Sequence, residues 1–498
     1  MKVLSETAVA VLLACSLAAV ASHAQQTSIP PTPGPNASSA ASNDAAPPQT
    51  LSKVRIVRLS EVRGAVQLDR GTGQGFEAAT PNMPIVESSR IRTGDGAAEI
   101  EFEDNSSLRV ATDSVVEFPR LELRPSGATV STVRIVKGMA YASLAPTKGN
   151  DFTLAFGQRT LQLAPSSHVR LEVDASQAKL AVLDGKTPVD EASGATEVGK
   201  NRTLTFDLAN QNPPAIAKSV AQTPFDNWDH TSAEYHQRFT SSSAFGSTPY
   251  SYGTSDMMYY GNFASAGACG SMWRPYFAGA AWSPFDNGSW AWYPGAGYSW
   301  VSPYPWGWTP FHSGAWAYCD GTGWGWQPNG SWNGLGNTLV SSSTHRPTGH
   351  LPEPPGHAPL PGNATLVSVD RSPLIRSTLG SQDTFVFRNG SAGLGVPRGD
   401  LGNLNHLSGS VEKHGSATTA VYVQAPGANA SEGRAPGMNT ARGGQIASTM
   451  HAGTPAESSG YDSRSAASSA PSFSRGPSYS APSAAPTAAP SSSGGRPR

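Results

Sequence analysis

Tryptophan is the residue type with the most evident binding chemistry in this sequence. All twelve tryptophans lie between Trp228 and Trp332, and eleven of them lie from Trp273 onward. The flat apolar faces of indole and phenol rings can stack on sugar rings or hold a cation. Six rings at Trp-x-Trp or related spacing, with two titratable neighbours, therefore form a candidate ligand platform: Trp290, Trp292, Trp316, Tyr318, Trp324, Trp326, Asp286 and His312.

The same rings have a competing use as a hydrophobic core. A segment of about sixty residues cannot offset the entropy lost on folding if most of its apolar surface stays in water. We therefore expect most rings to be buried, and about two or three to remain exposed as the platform. Asp286 and His312 have the competing interpretation of plain turn residues.

The first 24 residues have the pattern of a secretory signal. Lys2 precedes an apolar run at residues 8–20, and small residues close the segment. The run is shorter than the roughly 20 residues of a membrane span, so we expect a periplasmic or secreted protein without a transmembrane segment. Residues 12–15 also resemble a lipoprotein box, in which Cys15 would carry a lipid anchor. We regard this as the less favoured alternative.

Cys269 and Cys319 are the cysteines that remain after removal of the signal. Disulfides persist outside the cytoplasm, so a single bridge between them is the first hypothesis. Two buried free thiols are the alternative, because sequence alone does not show that the side chains meet.

Motifs of catalysis, metal binding and nucleic-acid binding are not found. No HExxH, GxSxG or CxxC motif occurs, so we expect no enzyme activity, no metal and no cofactor. The formal net charge is −1, which argues against a nucleic-acid partner. Glu101 and Glu103 alternate with apolar residues, which predicts a solvated strand face rather than a catalytic acid pair. Arg398 begins an Arg-Gly-Asp tripeptide that we interpret as a chance match.

The elements that must position the rings are repeats with a period of 26 residues. Residues 282–300 read WSPFDNGSWAWYPGAGYSW, residues 308–326 read WTPFHSGAWAYCDGTGWGW, and a degraded copy covers 259–276. Residues two apart on a strand share a face, so each Trp-x-Trp pair predicts an aromatic stripe. Gly288 and Gly314 would begin strands, and the following Gly-x-Gly pairs would form turns. Each repeat is therefore predicted to be a β-hairpin.

Residues 53–206 predict a separate all-β region. Residues 98–103 alternate apolar and acidic side chains, as a half-buried strand does. The region resembles the FecR-type domain, a β-rich extracytoplasmic module, at residues 64–66 (GAV), 91–100 (IRTGDGAAEI), 104–108 (DNSSL) and 136–140 (VKGMA). The resemblance implies an architecture and little chemistry. Signalling members of that family have a membrane helix that this sequence does not show, so a regulatory role would need a separate membrane partner.

The aromatic region resembles a tyrosine- and tryptophan-rich domain of unknown function that often follows FecR-like domains. The resemblance is based on residues 259–262 (YYGN), 273–276 (WRPY), 307–316 (GWTPFHSGAW) and 323–328 (GWGWQP). A short amphipathic helix at 224–239, with Phe225, Trp228, Tyr235 and Phe239 on one side, matches the usual lead-in to that domain.

The predicted fold class is mainly β, with a FecR-like all-β domain, an aromatic β-hairpin module, one short helix between them and long disordered flanks. The predicted order is a signal peptide at 1–24, a disordered leader at 25–52, the FecR-like domain at 53–206, a linker with the helix at 207–250, the aromatic module at 251–334, a Pro/His-rich linker at 335–362, a weak β-patterned island at 363–424 and a disordered Ala/Ser/Pro/Gly tail at 425–498.

From these features we expect a non-enzymatic binding or scaffolding protein of the bacterial cell envelope. Its exposed rings would engage a wall polysaccharide or an envelope protein. The alternative is a regulatory FecR-like sensor module that acts through a separate membrane partner. A glycan-cleaving enzyme is a third hypothesis, but it would need a placed pair of acids that the sequence does not indicate.

Overall fold

The computed structural model describes residues 54–191, 194–210, 212–239, 245–246, 248–336, 339–340, 353–359, 367–369, 375–379 and 382–421. The predicted signal peptide with Cys15, the leader at 25–52 and the tail at 425–498 lie outside the described residues, as does most of the predicted Pro/His-rich linker at 335–362. Among the helices that are described, none has the length and apolar character needed to cross a membrane.

An all-β domain forms where the sequence predicts one, at 53–206, and its last strand lies in the predicted linker. Its strands are β1 (Val57–Arg63), β2 (Val66–Asp69), β3 (Glu77–Ala78), β4 (Pro84–Ile85), β5 (Arg90–Thr93), β6 (Ala97–Glu101), β7 (Ser107–Val110), β8 (Val115–Leu123), β9 (Thr129–Ser143), β10 (Asn150–Phe156), β11 (Arg159–Leu163), β12 (His168–Val173), β13 (Gln177–Asp184), β14 (Lys186–Glu191), β15 (Gly194–Gly199), β16 (Arg202–Asp207) and β17 (Ala215–Ala217). Strands β14 and β15 pair with each other, and the others belong to one hydrogen-bonded network that includes the path β17-β16-β13-β12-β9-β7-β6-β1-β4.

Strand β9 connects two groups of strands. Its first half pairs with β8 and β10, and its second half pairs with β7 and β12. The change occurs at Gly138, where φ is +91° and where a Cβ atom would overlap Ser114, so glycine is required there. Side chains of both groups share one apolar core, in which the rings of Phe102 and Phe152 meet edge to face at 5.2 Å.

Helix α1 (Asp226–Phe239) follows the β domain, where the sequence predicts a helix. The Asp226 carboxylate fixes its first turn, because it accepts hydrogen bonds from the N–H and the hydroxyl of Thr223. Trp228 packs against the β domain, whereas Tyr235 lies in the core of the aromatic region. The helix therefore contacts both domains.

The aromatic region consists of paired strands and two short helices. Its elements are α2 (Thr254–Tyr260), β18 (Gly261–Ser265), a 3-10 turn (Gly267–Cys269), β19 (Ser271–Pro275), β20 (Gly288–Tyr293), β21 (Gly297–Val301), α3 (Thr309–His312), β22 (Ser313–Cys319), β23 (Gly323–Trp332) and β24 (Leu339–Val340). One sheet has the strand order β18-β19-β23-β22-β24, and the β20–β21 hairpin belongs to a second sheet. Rings from both sheets pack into one aromatic core.

The segment predicted as a weak β-patterned island, 363–424, packs with the aromatic domain in the parts that the structure describes. It contains β25 (Val367–Val369), β26 (Ile375–Leu379), β27 (Gln382–Arg388), α4 (Leu404–His414) and β28 (Ser416–Val421). Strand β25 pairs with β20, and Phe387, Val396 and Leu401 lie in the aromatic core. The sequence prediction missed α4, which buries Leu404 and Val411 on one side.

Candidate functional site

The repeats fold as hairpins, as their spacing predicts. Two aromatic pairs face each other across the strands of each hairpin: Trp290–Trp300 and Trp292–Tyr298 in β20–β21, and Trp316–Trp326 and Tyr318–Trp324 in β22–β23. Both glycines of each Gly-x-Gly turn have positive φ, a conformation that glycine adopts without steric cost. The two hairpins therefore place equivalent residues in equivalent positions.

A glycine at the start of each hairpin makes room for an indole ring. The Gly–Trp pairs, each separated by twelve residues in the sequence, are Gly261–Trp273, Gly288–Trp300 and Gly314–Trp326. A Cβ atom at any of these glycines would overlap the indole of its partner. The degraded copy at 259–276 has the same pair. Each repeat is therefore a packing unit in which the backbone of a glycine packs against the indole ring of a tryptophan.

Five of the eight platform candidates are buried, which corrects the prediction for these residues. Trp290, Trp316, Trp324, Trp326 and His312 are each at most 3% exposed. They pack against other residues of the aromatic region; the Trp316 ring, for example, lies 6.1 and 6.0 Å from the rings of Trp282 and Trp306. A ring that is covered in this way cannot stack on a ligand.

His312 has a structural role. Its Nδ1 lies 2.6 Å from the carbonyl oxygen of Gly334, and its ring centroid lies 4.2 Å from that of Trp308. Burial lowers the pKa of His312 to about 4. The imidazole is therefore neutral at pH 7 and contributes no charge to a binding surface.

The other three candidates are half-buried. Asp286 is a turn residue, since its carboxylate accepts a hydrogen bond of 3.1 Å from the N–H of Ser283. Tyr318 packs edge to face against the buried Trp324 ring at 5.7 Å. Trp292 has the half-buried Tyr298 as its partner across the hairpin.

Trp292 and Tyr298, here called the tip pair, form an open aromatic surface next to the turn of the β20–β21 hairpin. Their rings meet edge to face with centroids 5.0 Å apart. Ala291 and Tyr293 on the opposite face of β20 are buried in the core of the β domain, and Arg70 donates a hydrogen bond to the Trp292 carbonyl. The tip pair is therefore held from behind while its own rings stay partly open to solvent.

A disulfide joins Cys269, in the turn after β18, to Cys319 at the end of β22. The two Cα atoms are 6.1 Å apart, within the usual range for disulfides. The side-chain amide of Gln327 donates to the Cys269 carbonyl at 2.8 Å. The bond thus links the degraded first hairpin to the last one.

A buried ionic cluster that the sequence analysis missed lies where the two domains meet. This junction cluster consists of Arg58, Glu99, Glu101, Arg109, Asp229, His236, Asp256 and Arg398. The β domain supplies four of these residues, α1 two, α2 one and the loop before α4 one. Each side chain is 11% exposed or less.

Arg398 contacts three elements at the centre of the junction cluster. Its Nε and Nη2 donate to the two carboxylate oxygens of Asp256 at 2.8 and 2.7 Å, and its Nη1 donates to Glu99 at 2.5 Å. Its guanidinium carbon also lies 5.0 Å from the centroid of the Tyr235 ring. Because this side chain is buried, the tripeptide that it begins cannot act as an adhesion motif.

Arg58, Arg109 and His236 complete the pairing in the junction cluster. The remaining contacts are Arg58 to Glu101 (2.6 Å) and Asp256 (2.7 Å), Arg109 to Glu99 (2.8 Å) and Asp229 (2.8 Å), and His236 to Glu99 (2.8 Å) and Glu101 (3.2 Å). Every carboxylate of the cluster therefore has at least one arginine partner, which a buried charge requires.

These contacts keep Glu99 and Asp256 ionised. Burial by itself would raise the pKa of Glu99, but His236, Arg398 and Arg109 hold that pKa well below its usual value. Burial also opposes ionisation of Asp256, but Arg398 and Arg58 lower its pKa to about 2. A general acid or base needs a pKa near the working pH. Glu99 and Asp256 are therefore suited to holding the domains together through their charges and not to proton transfer.

The prediction that Glu101 and Glu103 line a solvated face is wrong. Glu101 is 1% exposed, and both oxygens of Glu103 accept hydrogen bonds from Arg55 at 2.7 and 2.8 Å. The face of β6 that carries Glu101 is covered by α1, α2 and the loop that carries Arg398. These elements are distant from β6 in the sequence. The available signal was the arginine on each strand that flanks β6, namely β1 and β7.

The surface clefts of the described residues include two that lie away from the tip pair. One, of about 290 Å³, is lined by Asp113, Glu172 and Phe225 among others, and one of about 350 Å³ is lined by Glu103 and Tyr250 among others. Neither cleft contains a predicted platform residue. Within the described ranges, no group of three or more His, Cys, Asp or Glu side chains is placed to hold a metal ion.

The fold and the hairpin repeats define a protein with a FecR-like β domain joined to an aromatic hairpin domain. Residues 89–198 match the model of the FecR protein family, and residues 254–357 match a family of unknown function, DUF6600. The chain thus carries a FecR domain followed by a DUF6600 domain, which confirms both resemblances inferred from the sequence.

Two solved structures of a protein described as an anti-sigma factor from Parabacteroides distasonis ATCC 8503 are similar to part of the chain. Each is 14% identical and covers 32% of this chain and 67% or 68% of the other, with a TM-score of 0.23. A likeness of this size supports no argument about fold or function. No curated protein matches the chain.

Proposed function

We propose that this chain is a non-enzymatic binding or scaffolding protein of the bacterial cell envelope, and that the tip pair binds an envelope polysaccharide. The observation that carries the proposal is the geometry of Trp292 and Tyr298. They are two half-buried rings, edge to face at 5.0 Å, on a hairpin whose other face is buried. Such rings offer apolar faces on which sugar rings can stack.

The tip pair is held in place before a ligand arrives. Beside it on the same face of the hairpin, the Trp290 and Trp300 rings pack in the aromatic core with centroids 5.3 Å apart. On the other face of the strand, the Tyr293 hydroxyl donates to the Pro84 carbonyl at 2.7 Å. A surface that is already ordered loses little entropy on binding. Two rings held in this way can therefore contribute most of their contact energy to affinity.

A wall polysaccharide is the partner that fits the expected export of the chain. The secretory pattern at residues 1–24 would bring the protein into contact with the cell wall. The disulfide between Cys269 and Cys319 supports this location, because such bonds persist in oxidising compartments.

A regulatory role is the second candidate, and the FecR match at residues 89–198 favours it. In that role the sheet of the FecR domain would bind a separate membrane partner. The tip pair has a role only in the first candidate, so variants of the tip pair separate the two.

Sedimentation with purified peptidoglycan sacculi tests the proposal. We expect the chain to pellet with sacculi, and the double variant Trp292→Ala, Tyr298→Ala to bind about tenfold more weakly, since each ring contact contributes about 0.5–1.5 kcal/mol. Tyr276→Ala is the matched control, because it removes another half-buried ring of the aromatic domain. A chain that stays in the supernatant, or a tip-pair variant that binds like the parent, would contradict the proposal.

A further inference from the structure

We propose that the polysaccharide is anionic, and that Arg92 and Lys137 on the outer face of the FecR domain bind its negatively charged groups. This inference rests on the proposed function and adds the chemical class of the ligand. The rings of the tip pair do not determine that class, because aromatic stacking is available to neutral and charged sugars alike.

Arg92 and Lys137 lie in one row across neighbouring strands. The strand register pairs Gln67 with Arg92, Arg92 with Val115, and Val115 with Lys137. Directly paired residues point to the same face of a sheet, and the two cations are exposed. Because adjacent strands are about 4.8 Å apart, the backbones of Arg92 and Lys137 are separated by about 10 Å.

These two cations differ from their neighbours because no acid balances them. In the part of the chain that the structure describes, neither Arg92 nor Lys137 has a carboxylate within ion-pair distance. The next row of the same face contains Arg90 and Arg134, each of which has a carboxylate within 2.6 or 3.8 Å. The positive charge of this face is therefore concentrated in the row of Arg92 and Lys137.

The Arg92 guanidinium is preorganised for an anion. Its Nε and Nη2 donate to Gln67 Oε1 at 3.0 and 2.5 Å, and its central carbon lies 4.5 Å from the centroid of the Phe76 ring. A neutral amide and an aromatic ring orient the guanidinium without neutralising it. Its remaining N–H groups can therefore bind a carboxylate or a phosphate by charge-assisted hydrogen bonds.

One short loop connects this row to the tip pair. The loop between β2 and β3 starts at Arg70, which donates to the Trp292 carbonyl, and it reaches Phe76 next to Arg92. Seven residues span at most about 25 Å. The row and the tip pair are thus within reach of one extended polymer, and a polysaccharide with repeated acidic groups fits a ring surface followed by spaced cations.

Two preparations of the same material test the inference: native peptidoglycan sacculi, and sacculi whose carboxylates have been converted to neutral amides. At low ionic strength we expect amidation to weaken binding of the parent chain about tenfold, since each of two exposed ion pairs contributes up to a factor of about five. The double variant Arg92→Gln, Lys137→Gln should bind native sacculi equally weakly. In 1 M salt, where charges are screened within about 3 Å, binding to native and to amidated sacculi should differ by less than about twofold, and so should binding by the parent chain and by the double variant.

Arg124→Gln is the matched control, because it removes an exposed cation that already has Asp151 as its partner at 2.7 Å. It should bind native sacculi like the parent chain. Equal binding of the parent to native and amidated sacculi would overturn the inference and leave the proposed function standing, as would unchanged binding by the double variant. Failure of the parent to bind either preparation would overturn both.

Discussion

Replacement of Arg398 by methionine should show how strongly the junction cluster stabilises the protein. Methionine keeps much of the side-chain volume but removes the hydrogen bonds to Asp256 and Glu99. The carboxylates of Asp256 and Glu99 then stay buried without the guanidinium that pairs with both of them. Removal of one partner from a buried ion pair lowers stability by about 3–5 kcal/mol, mainly because the other charge is left uncompensated. We expect Arg398→Met to lower the free energy of unfolding by about that amount.

A surface arginine and a conservative variant calibrate this expectation. Arg124 pairs with Asp151 at 2.7 Å, but the two side chains are 42% and 47% exposed. Arg124→Met should therefore lower the free energy of unfolding by at most about 1 kcal/mol. Arg398→Lys should give an intermediate value, because lysine keeps the charge but cannot bind both oxygens of Asp256 in the same fork geometry.

Urea unfolding at pH 7 provides the measurement. Tryptophan fluorescence reports on the aromatic core and far-UV circular dichroism reports on both domains, so the two signals show whether the domains unfold together. If Arg398→Met lost no more stability than Arg124→Met, the stabilising role of the cluster would be refuted. If Arg398→Met did not fold at all, Arg398→Lys would supply the measurable value.

Three further changes test other features. Glu99 and Asp256 have lower pKa values in the folded chain than their usual values, so the folded state binds fewer protons than the unfolded state. The free energy of unfolding should therefore fall as the pH drops from about 4 toward 2. Urea titrations across this range measure it, and a free energy that does not change with pH would count against the expectation. Gly314→Ala puts a Cβ atom into the Trp326 indole and should lower the free energy of unfolding by about 1–3 kcal/mol, and the melting temperature with it. Gly402→Ala, where a Cβ atom has no neighbour within contact distance, should leave the melting temperature unchanged. Equal melting temperatures of the two variants would contradict this prediction. Replacement of both disulfide cysteines by serine should lower the free energy of unfolding by about 4 kcal/mol. Thiol titration of the denatured, unreduced chain provides a second check, and detection of Cys269 and Cys319 as free thiols would disprove the bond.

The hairpins could be predicted because their determinants are close together in the sequence. The Trp-x-Trp spacing sets which side chains share a strand face, and the Gly-x-Gly pairs set the turns. Helix α1 was predictable for the same reason, since its apolar stripe and its first-turn Asp226 lie within fifteen residues of each other. Helix α4 was missed because its short apolar stripe lies between residues that favour strands or turns.

The exposure of individual side chains could not be predicted in the same way. An alternating strand shows which residues share a face, but it does not show what covers that face. Glu101 was expected in solvent because the helices that cover its face of the sheet, and Arg398 in the same cluster, are distant from it in the sequence. Tyr298 and Trp324 occupy equivalent positions in their hairpins, yet Tyr298 is half-buried and Trp324 is buried, because different elements pack around them.

By itself, the sequence determined the β class, the period and turns of the hairpins, and the order of a FecR domain and a DUF6600 domain, since these depend on periodicity and motifs that act over a few residues. The tertiary structure decided which rings are covered, where the charged residues are buried, and that Phe387, Val396 and Leu401 lie in the aromatic core. The physical reason is that burial depends on contacts between residues that are distant in the chain. Local patterns constrain each contacting face, but they do not select its partner.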